Sequence, residues 1–430
     1  MNKEILRLAV PNILSNISVP LISSVDTILM GSLSGLHIGA VGIGAMIFNF
    51  VYWNFGFLRM GTTGITAQAY GREDDRRIIH TLGRALLVAA GLALLILLLQ
   101  APFEKAALHL MNVAPEQTEL IKSYFYIRIW GAPAALGMYA MLGWFFGMQN
   151  SVYPLILTVL INVVNIAVSW YLVTVLNLEA AGVAYGTVIA QYIGLAAAGF
   201  LFFYRYGYLL RSFQKAALLQ AEELKKFLVI NRDIFLRTVA LTLTFSFFYS
   251  QSSEYGTVIL AVNTILMQFF NWMAYGVDGF AFAAESLVGK YAGRGPEDNT
   301  RRAINYSFGW GMGFAVLFTL VFWAFGIPLL DFFTDQANVR AAALPYLIWI
   351  VGMPLVGTPS FIWDGVFIGL TASVAMRNSM ILATVGFFAA FYWLDPLYNN
   401  HGLWAAMYIY MLLRGLIQQA MFSRRGMRLK

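Results

Sequence analysis

The sequence predicts an all-α integral membrane protein with twelve transmembrane helices in two pseudo-symmetric bundles of six. Three observations carry that reading. Hydrophobic residues make up 60% of the 430-residue chain and charged residues only 11%, where a soluble domain carries roughly 25% charged residues; mean hydropathy is +0.69. Runs such as ALLVAAGLALLILLL (85–99) and FAVLFTLVFWAFGIPLL (314–330) hold no charge, and a bilayer-spanning helix needs about 20 mostly apolar residues. The connections between such runs alternate between strongly basic and not, as they do when charge sets membrane orientation. The short apolar–polar alternation of a membrane β-barrel is absent.

Apolar stretches broken by charge, Pro and Gly place spans near 8–32, 42–68, 80–101, 122–147, 153–176 and 180–204, then near 233–253, 257–289, 303–327, 342–370, 377–394 and 401–422. The first contains Pro11, Pro20 and Asp26 and lacks a small-residue cleavage site, so it is read as a retained helix rather than a signal peptide. GREDDRRIIHTLGR (71–84), RYGYLLRSFQKAALLQAEELKKF (205–227), GKYAGRGPEDNTRR (289–302) and SRRGMRLK (423–430) are basic. The segments 102–119, 177–181, 331–340 and 395–402 are not. Positive-inside asymmetry then puts both termini and the basic loops on the cytoplasmic side, with Arg128 on the opposite side. The net charge of +7 is explained by topology, with no nucleic-acid partner.

The halves repeat. GFLRMGTTGITAQAYGR (56–72) is answered by GFAFAAESLVGKYAGR (279–294), and FFGMQNSVYPLILTVLINVVNIAVSWYL (145–172) by FIGLTASVAMRNSMILATVGFFAAFYWL (367–394). Gly147 and Gly369 are 222 residues apart, and Gly182 and Gly402 are 220 apart. The predicted organisation is a first bundle over 1–204, a basic cytoplasmic linker over 205–232 and a second bundle over 233–430. An even number of spans per half gives both repeats one orientation, the arrangement of transporters that work by alternating access.

Acidic residues inside the spans are few: Asp26, Asp278, Glu285 and Asp364. An Asp at a helix centre costs about 2.5–3.5 kcal/mol on insertion scales. Burial raises a carboxyl pKa, so such a group is suited to holding H⁺ or Na⁺ in one state and releasing it in another. Asn12, Asn16, Ser23 and Asp26 share a helix face, and Pro20 predicts a kink below Asp26. Asn162, Asn165 and Ser169 form a stripe on span 5, with Thr187 and Gln191 one turn apart on span 6. These stripes read either as a polar pocket or as interhelical hydrogen bonding. Asp364 has a functional reading and a bracing one. Asp278 and Glu285 approach the inner end of their span, where they meet water or pair with Lys290. Arg59, inside span 2, is a candidate counter-charge for Asp26.

Enzyme chemistry finds no foothold. There is no cysteine, the four histidines (His37, His80, His109, His401) are scattered, and no phosphate-binding loop, metal motif or triad is present. No cofactor and no metal are expected. A membrane enzyme acting on lipids would need a clustered constellation, and a lipid-linked sugar flippase a basic cavity.

LAVPNILSNISVPLISSVDTILMG, FLRMGTTGITAQAYG, INVVNIAVSW, AAGVAYGTVIAQY and FIWDGVFIGLTASVAMRNSM together resemble the multidrug and toxic compound extrusion (MATE) family, in its bacterial DinF-like branch, over nearly the whole chain. The resemblance implies a V-shaped, monomeric antiporter of the bacterial inner membrane that exports small organic, often cationic compounds in exchange for H⁺ or Na⁺. It implies that Asp26 takes the coupling ion, and that Asn162, Asn165 and Thr187 match polar residues around it. Ser169 stands where many relatives carry Asp. That departure weakens a two-carboxylate Na⁺ site and favours H⁺.

Overall fold

The computed structural model describes residues 1–31, 35–111, 113, 115–295 and 297–426, and the side chains of these except at 19–31, 35–37, 110 and 425. Among the described residues the fold is helical without a strand. In chain order the helices are α1 (Asn2–Gly31), α2 (Gly35–Phe55), α3 (Phe57–Gly71), α4 (Asp75–Leu98), α5 (Gln100–Leu110), α6 (Pro115–Arg128), α7 (Ala132–Gly147), α8 (Val152–Thr174) and α9 (Glu179–Tyr206). They continue with α10 (Lys215–Leu218), α11 (Ala221–Glu254), α12 (Thr257–Arg294), α13 (Glu297–Phe333), α14 (Ala337–Ala343), α15 (Leu347–Gly369), α16 (Ser373–Tyr398) and α17 (Asn400–Arg425).

Joining α2 to α3, α6 to α7 and α14 to α15 as broken spans restores twelve membrane segments in the predicted order. Among the described residues, nine stretches are long and apolar enough to cross a bilayer. Two features of the helices have simple causes. The linker is helical from Ala221 onward, because AEELKK joins strong helix formers to an acidic first turn, which favours a helix start. α1 runs without a break through Pro20; a proline removes one backbone bond without necessarily ending a helix.

The chain divides into two compact units, one formed by Met1–Ile13 with Val229–Lys430, the other by Leu14–Leu228. In the second unit Trp144, Phe145, Phe202 and Tyr206 form the centre of a buried cluster, and the Trp144 Nε1 donates to the Ile78 carbonyl at 3.1 Å. In the first, Asn263 on α12 holds Ser252, Asn400 and Trp404 through side-chain hydrogen bonds of 2.7–3.1 Å. This ties α11, α12 and α17 where no water competes. The start of α1 is fastened within the same unit: Lys290 Nζ meets Glu4 Oε1 at 2.8 Å, and Tyr291 Oη donates to Glu4 Oε2 at 2.9 Å. Burial alone would raise the Glu4 carboxyl, but these two donors and the Lys290 charge hold it below its ordinary value.

The repeat is visible in the packing. A Cβ on Gly143 of α7 would collide with the backbone carbonyl of Arg59 on α3, and one on Gly365 of α15 with that of Ala281 on α12. Each unit therefore brings two helix backbones into contact at an equivalent glycine, where any side chain would hold them apart.

Candidate functional site

Each unit carries one buried polar centre, and the two differ in kind. In the unit Leu14–Leu228 the centre lies between α8 and α9. Asn162, Asn165 and Ser169 sit on one face of α8, as the sequence spacing predicts, and all three are buried. Asn165 Nδ2 donates to Thr187 Oγ1 of α9 at 3.0 Å, and Thr187 Oγ1 in turn donates to the Val183 carbonyl at 3.0 Å. One turn further, Gly186 lets α9 close onto Ser169, because any Cβ there would overlap the serine hydroxyl. Among the described residues, Ser169 Oγ and Asn165 Oδ1 are buried with no hydrogen-bond partner, which is costly for polar atoms out of water.

α1 joins this pair. Ser15 Oγ donates to Thr158 Oγ1 at 2.9 Å, and Asn162 Nδ2 donates to the Ser18 carbonyl at 3.3 Å. Both contacts advance together along the two chains, so α1 and α8 run in the same direction. At 1.5 Å per residue, residue 26 lies about 12 Å beyond Ser18, level with Ser169 and Trp170 of α8. The Asp26 side chain itself lies outside the described residues, as does its pairing with Arg59. Arg59 is buried, with its guanidinium 5.7 Å from the centre of the Phe146 ring. Asn16 is half-buried on α1.

Gln191 belongs to a different contact. Its Oε1 accepts from Arg128 Nη1 of α6 at 3.0 Å. Arg128 is buried, 5.4 Å from the centres of both the Phe48 and Tyr52 rings. The sequence reading counted Arg128 with the polar outer side. The structure adds its contacts: the guanidinium is packed against two π faces and bound to an amide oxygen, a setting that offsets part of its desolvation.

In the other unit the centre is ionic. Asp364 of α15 accepts from Arg237 of α11, from Arg414 Nη2 of α17 at 2.8 Å and from Gln418 Nε2 at 2.7 Å. All four residues are more than nine-tenths buried. Arg414 also lies 5.6 Å from the Phe361 ring centre and 5.4 Å from that of Tyr410. One carboxylate thus faces two guanidinium groups. A second pairing lies on the same helix α11: Asp233 binds Arg377 Nη1 at 2.7 Å and accepts from Ser373 Oγ at 3.1 Å. Of the other two acids, Glu285 is buried on α12 and Asp278 is half-buried. Lys290, the partner the sequence offered them, binds Glu4.

Sequence reasoning missed Arg237 and Arg128. Arg237 stands in LRTVALTLTF, an arginine within an apolar run, and that position was the available signal. Among the described residues no three acidic or histidine side chains converge as metal ligands, and Asp364 is already surrounded by cations.

The MatE family model matches this chain twice, over residues 11–171 and 234–394. The chain is 37% identical over 436 residues to DNA damage-inducible protein F of Escherichia coli K12, an alignment covering 98% of this chain and 92% of the relative. It is 25% identical to the chloroplastic DETOXIFICATION 44 protein of Arabidopsis thaliana, covering 96% of this chain and 80% of that one. Its fold matches a crystal structure of a mutant Vibrio cholerae MATE transporter with a TM-score of 0.85 at 18% identity, covering 100% of this chain and 98% of the other.

Proposed function

The chain belongs to the MATE family, the multidrug and toxic compound extrusion transporters, in its DinF-like branch, and from that premise we propose that it exports organic, often cationic compounds in exchange for H⁺, with Asp26 as the coupling carboxylate. The observation that carries this reading is the contrast between the two centres. Asp364 is held by Arg237, Arg414 and Gln418, so its negative charge is already answered by two cations that cannot leave. A carboxylate in that state has no reason to exchange a proton or a sodium ion during a transport cycle. Residue 26, by contrast, is level on α1 with the part of α8 that bears Ser169, where neutral oxygens are buried without partners.

In this reading Asp26 takes a proton from the outer side. Losing its charge in an apolar helix removes the desolvation penalty, α1 repacks, and the pocket of Asn162, Asn165, Ser169 and Thr187 releases its substrate outward. The moving bodies are the bundles 1–204 and 233–430, joined by 205–232, in a monomer of the bacterial inner membrane with both termini in the cytoplasm. Asp278, Glu285 and Arg59 hold structural positions in this scheme.

Na⁺ coupling is the second reading, favoured by the unpartnered Asn165 Oδ1 and Ser169 Oγ, since Na⁺ takes neutral oxygen ligands as readily as charged ones. Efflux of a fluorescent organic cation from proteoliposomes, driven separately by a pH gradient and by a Na⁺ gradient, tests the proposal. Efflux under the pH gradient alone supports it. Efflux only under the Na⁺ gradient transfers the role to sodium.

A further inference from the structure

At the end of the bundle where α13 begins and α17 finishes lies a cavity of about 460 Å³ that neither polar centre uses. Its walls are aromatic: Phe308 of α13, Trp363 of α15 and Phe422 of α17. Trp363 lies 5.1 Å from Phe308 and 5.0 Å from Phe422, centre to centre. Its polar lining includes Arg301 and Asn305, one turn apart on α13, and Gln419 of α17. Trp363 Nε1 donates to Gln419 Oε1 at 3.2 Å, which turns the Gln419 amide hydrogens to other partners. Among the described residues, no acidic side chain lines the cavity. Among the described residues, Arg301 makes no hydrogen bond or ion pair.

Donors without acceptors, a cation without a counter-ion and aromatic walls define the ligand: an anion attached to an apolar body. The position selects its source. Arg301 lies in the basic stretch 289–302 and Phe422 directly precedes the basic sequence that begins at 423, so the cavity lies at the end of the bundle that the charge pattern assigns to the positively charged membrane surface. Anionic headgroups gather at such a surface, and basic pockets between transmembrane helices take them. We propose that this cavity binds the phosphate of an anionic phospholipid, with Arg301 on the phosphate and Phe308, Trp363 and Phe422 against the glycerol and upper acyl chains.

The site adjoins the ionic centre. Trp363 precedes Asp364, and Gln419 follows Gln418. The pair Trp363–Gln419 faces the cavity, while Asp364–Gln418 closes the clamp. A lipid bound here braces the same α15–α17 contact that the clamp braces, and it needs no assumption about the coupling ion.

Native mass spectrometry of the purified full-length protein tests this, with dioleoyl phosphatidylglycerol and dioleoyl phosphatidylcholine offered at equal ratios. The wild type retains phosphatidylglycerol in preference to phosphatidylcholine. Arg301→Gln lowers that retention by roughly five-fold, the loss expected for one arginine at a lipid phosphate, and Arg302→Gln, which alters a residue outside the cavity lining, leaves it unchanged. Equimolar glycerol 3-phosphate does not displace the lipid. Equal retention by Arg301→Gln and wild type overturns the site. Equal retention of the two lipids overturns the anion preference. Displacement by glycerol 3-phosphate overturns the lipid source in favour of a soluble phosphate.

Discussion

The two units share a skeleton and exchange their chemistry. Gly143 and Gly365 make the same backbone contact, and the family model matches both halves with the same length and order. Yet Asn165 and Ser169 of α8, moved by the 222-residue offset, fall on Phe387 and Phe391 of α16, while Thr187 and Gln191 of α9, moved by 220, fall on Met407 and Met411 of α17. All four replacements are buried apolar side chains. In the reverse direction Asp364 falls on Leu142, and Arg414 and Gln418 fall on Gly194 and Ala198. Where one unit has a neutral polar seam, the other has an aromatic core; where the second has an ion clamp, the first has small and apolar residues. A duplicated scaffold thus keeps the close helix contacts and lets each copy specialise its interior. One interior is closed by an ion clamp, and the other is lined by neutral polar groups.

The largest effect should come from breaking the clamp. Asp364→Asn leaves two buried guanidinium groups without a counter-charge, and removing one partner of a buried ion pair costs about 3–5 kcal/mol. Thermal unfolding in detergent should show a strong loss of folded protein. Asp26→Asn should keep the wild-type melting behaviour while abolishing coupled efflux. If Asp364→Asn instead melts like the wild type, the clamp is not what holds α11, α15 and α17 together.

The shared skeleton gives the next test. Gly143→Ala and Gly365→Ala each force a Cβ against a neighbouring backbone carbonyl, and such overpacking costs about 1–3 kcal/mol. The two variants should lose similar amounts of stability in chemical denaturation. A large cost at one and none at the other would show that the repeat is a resemblance of sequence more than of packing.

Smaller still is the seam. Asn165→Ala removes the bond to Thr187, and hydrogen bonds between membrane helices average about 0.6 kcal/mol. Its melting point should therefore barely move, while its efflux rate and substrate preference change. A stability loss with unaltered efflux would make the seam helix glue alone. Least of all is the contribution of Glu4, whose carboxyl is held below its ordinary 4.5. A depressed acid stabilises the fold above that value and loses the contribution as pH falls through the folded pKa. Glu4→Gln should therefore flatten the acid side of the stability profile below about pH 4.5 and leave neutral pH nearly unaffected.

The fold was largely legible in the sequence because membrane helices announce themselves by length and by the absence of charge. The spans holding 85–99 and 314–330 needed nothing more. The repeat was legible through glycines, since Gly147 and Gly369 are fixed by close packing rather than by surface chemistry. The α8 stripe was legible too, because Asn162, Asn165 and Ser169 follow the helical period. Partners distant in the chain were not. Asp364 was recognisable as a buried acid, but its arginines lie 127 and 50 residues away, and no periodicity links helices that meet only after folding. The contacts of Arg128 were not legible either: the sequence shows only a charge near a span end, whereas Phe48 and Tyr52, on another helix, make a buried place for it.

The central claim is that the exchangeable proton sits on the first helix and that the Asp364 clamp does not titrate during transport. Substrate-induced proton release measures this directly. The purified protein, weakly buffered in detergent with a pH-sensitive dye, is mixed with an organic cation that it exports. The account predicts release of about one proton per bound cation by the wild type, and none by Asp26→Asn with the cation still binding. Undiminished proton release by Asp26→Asn would contradict it.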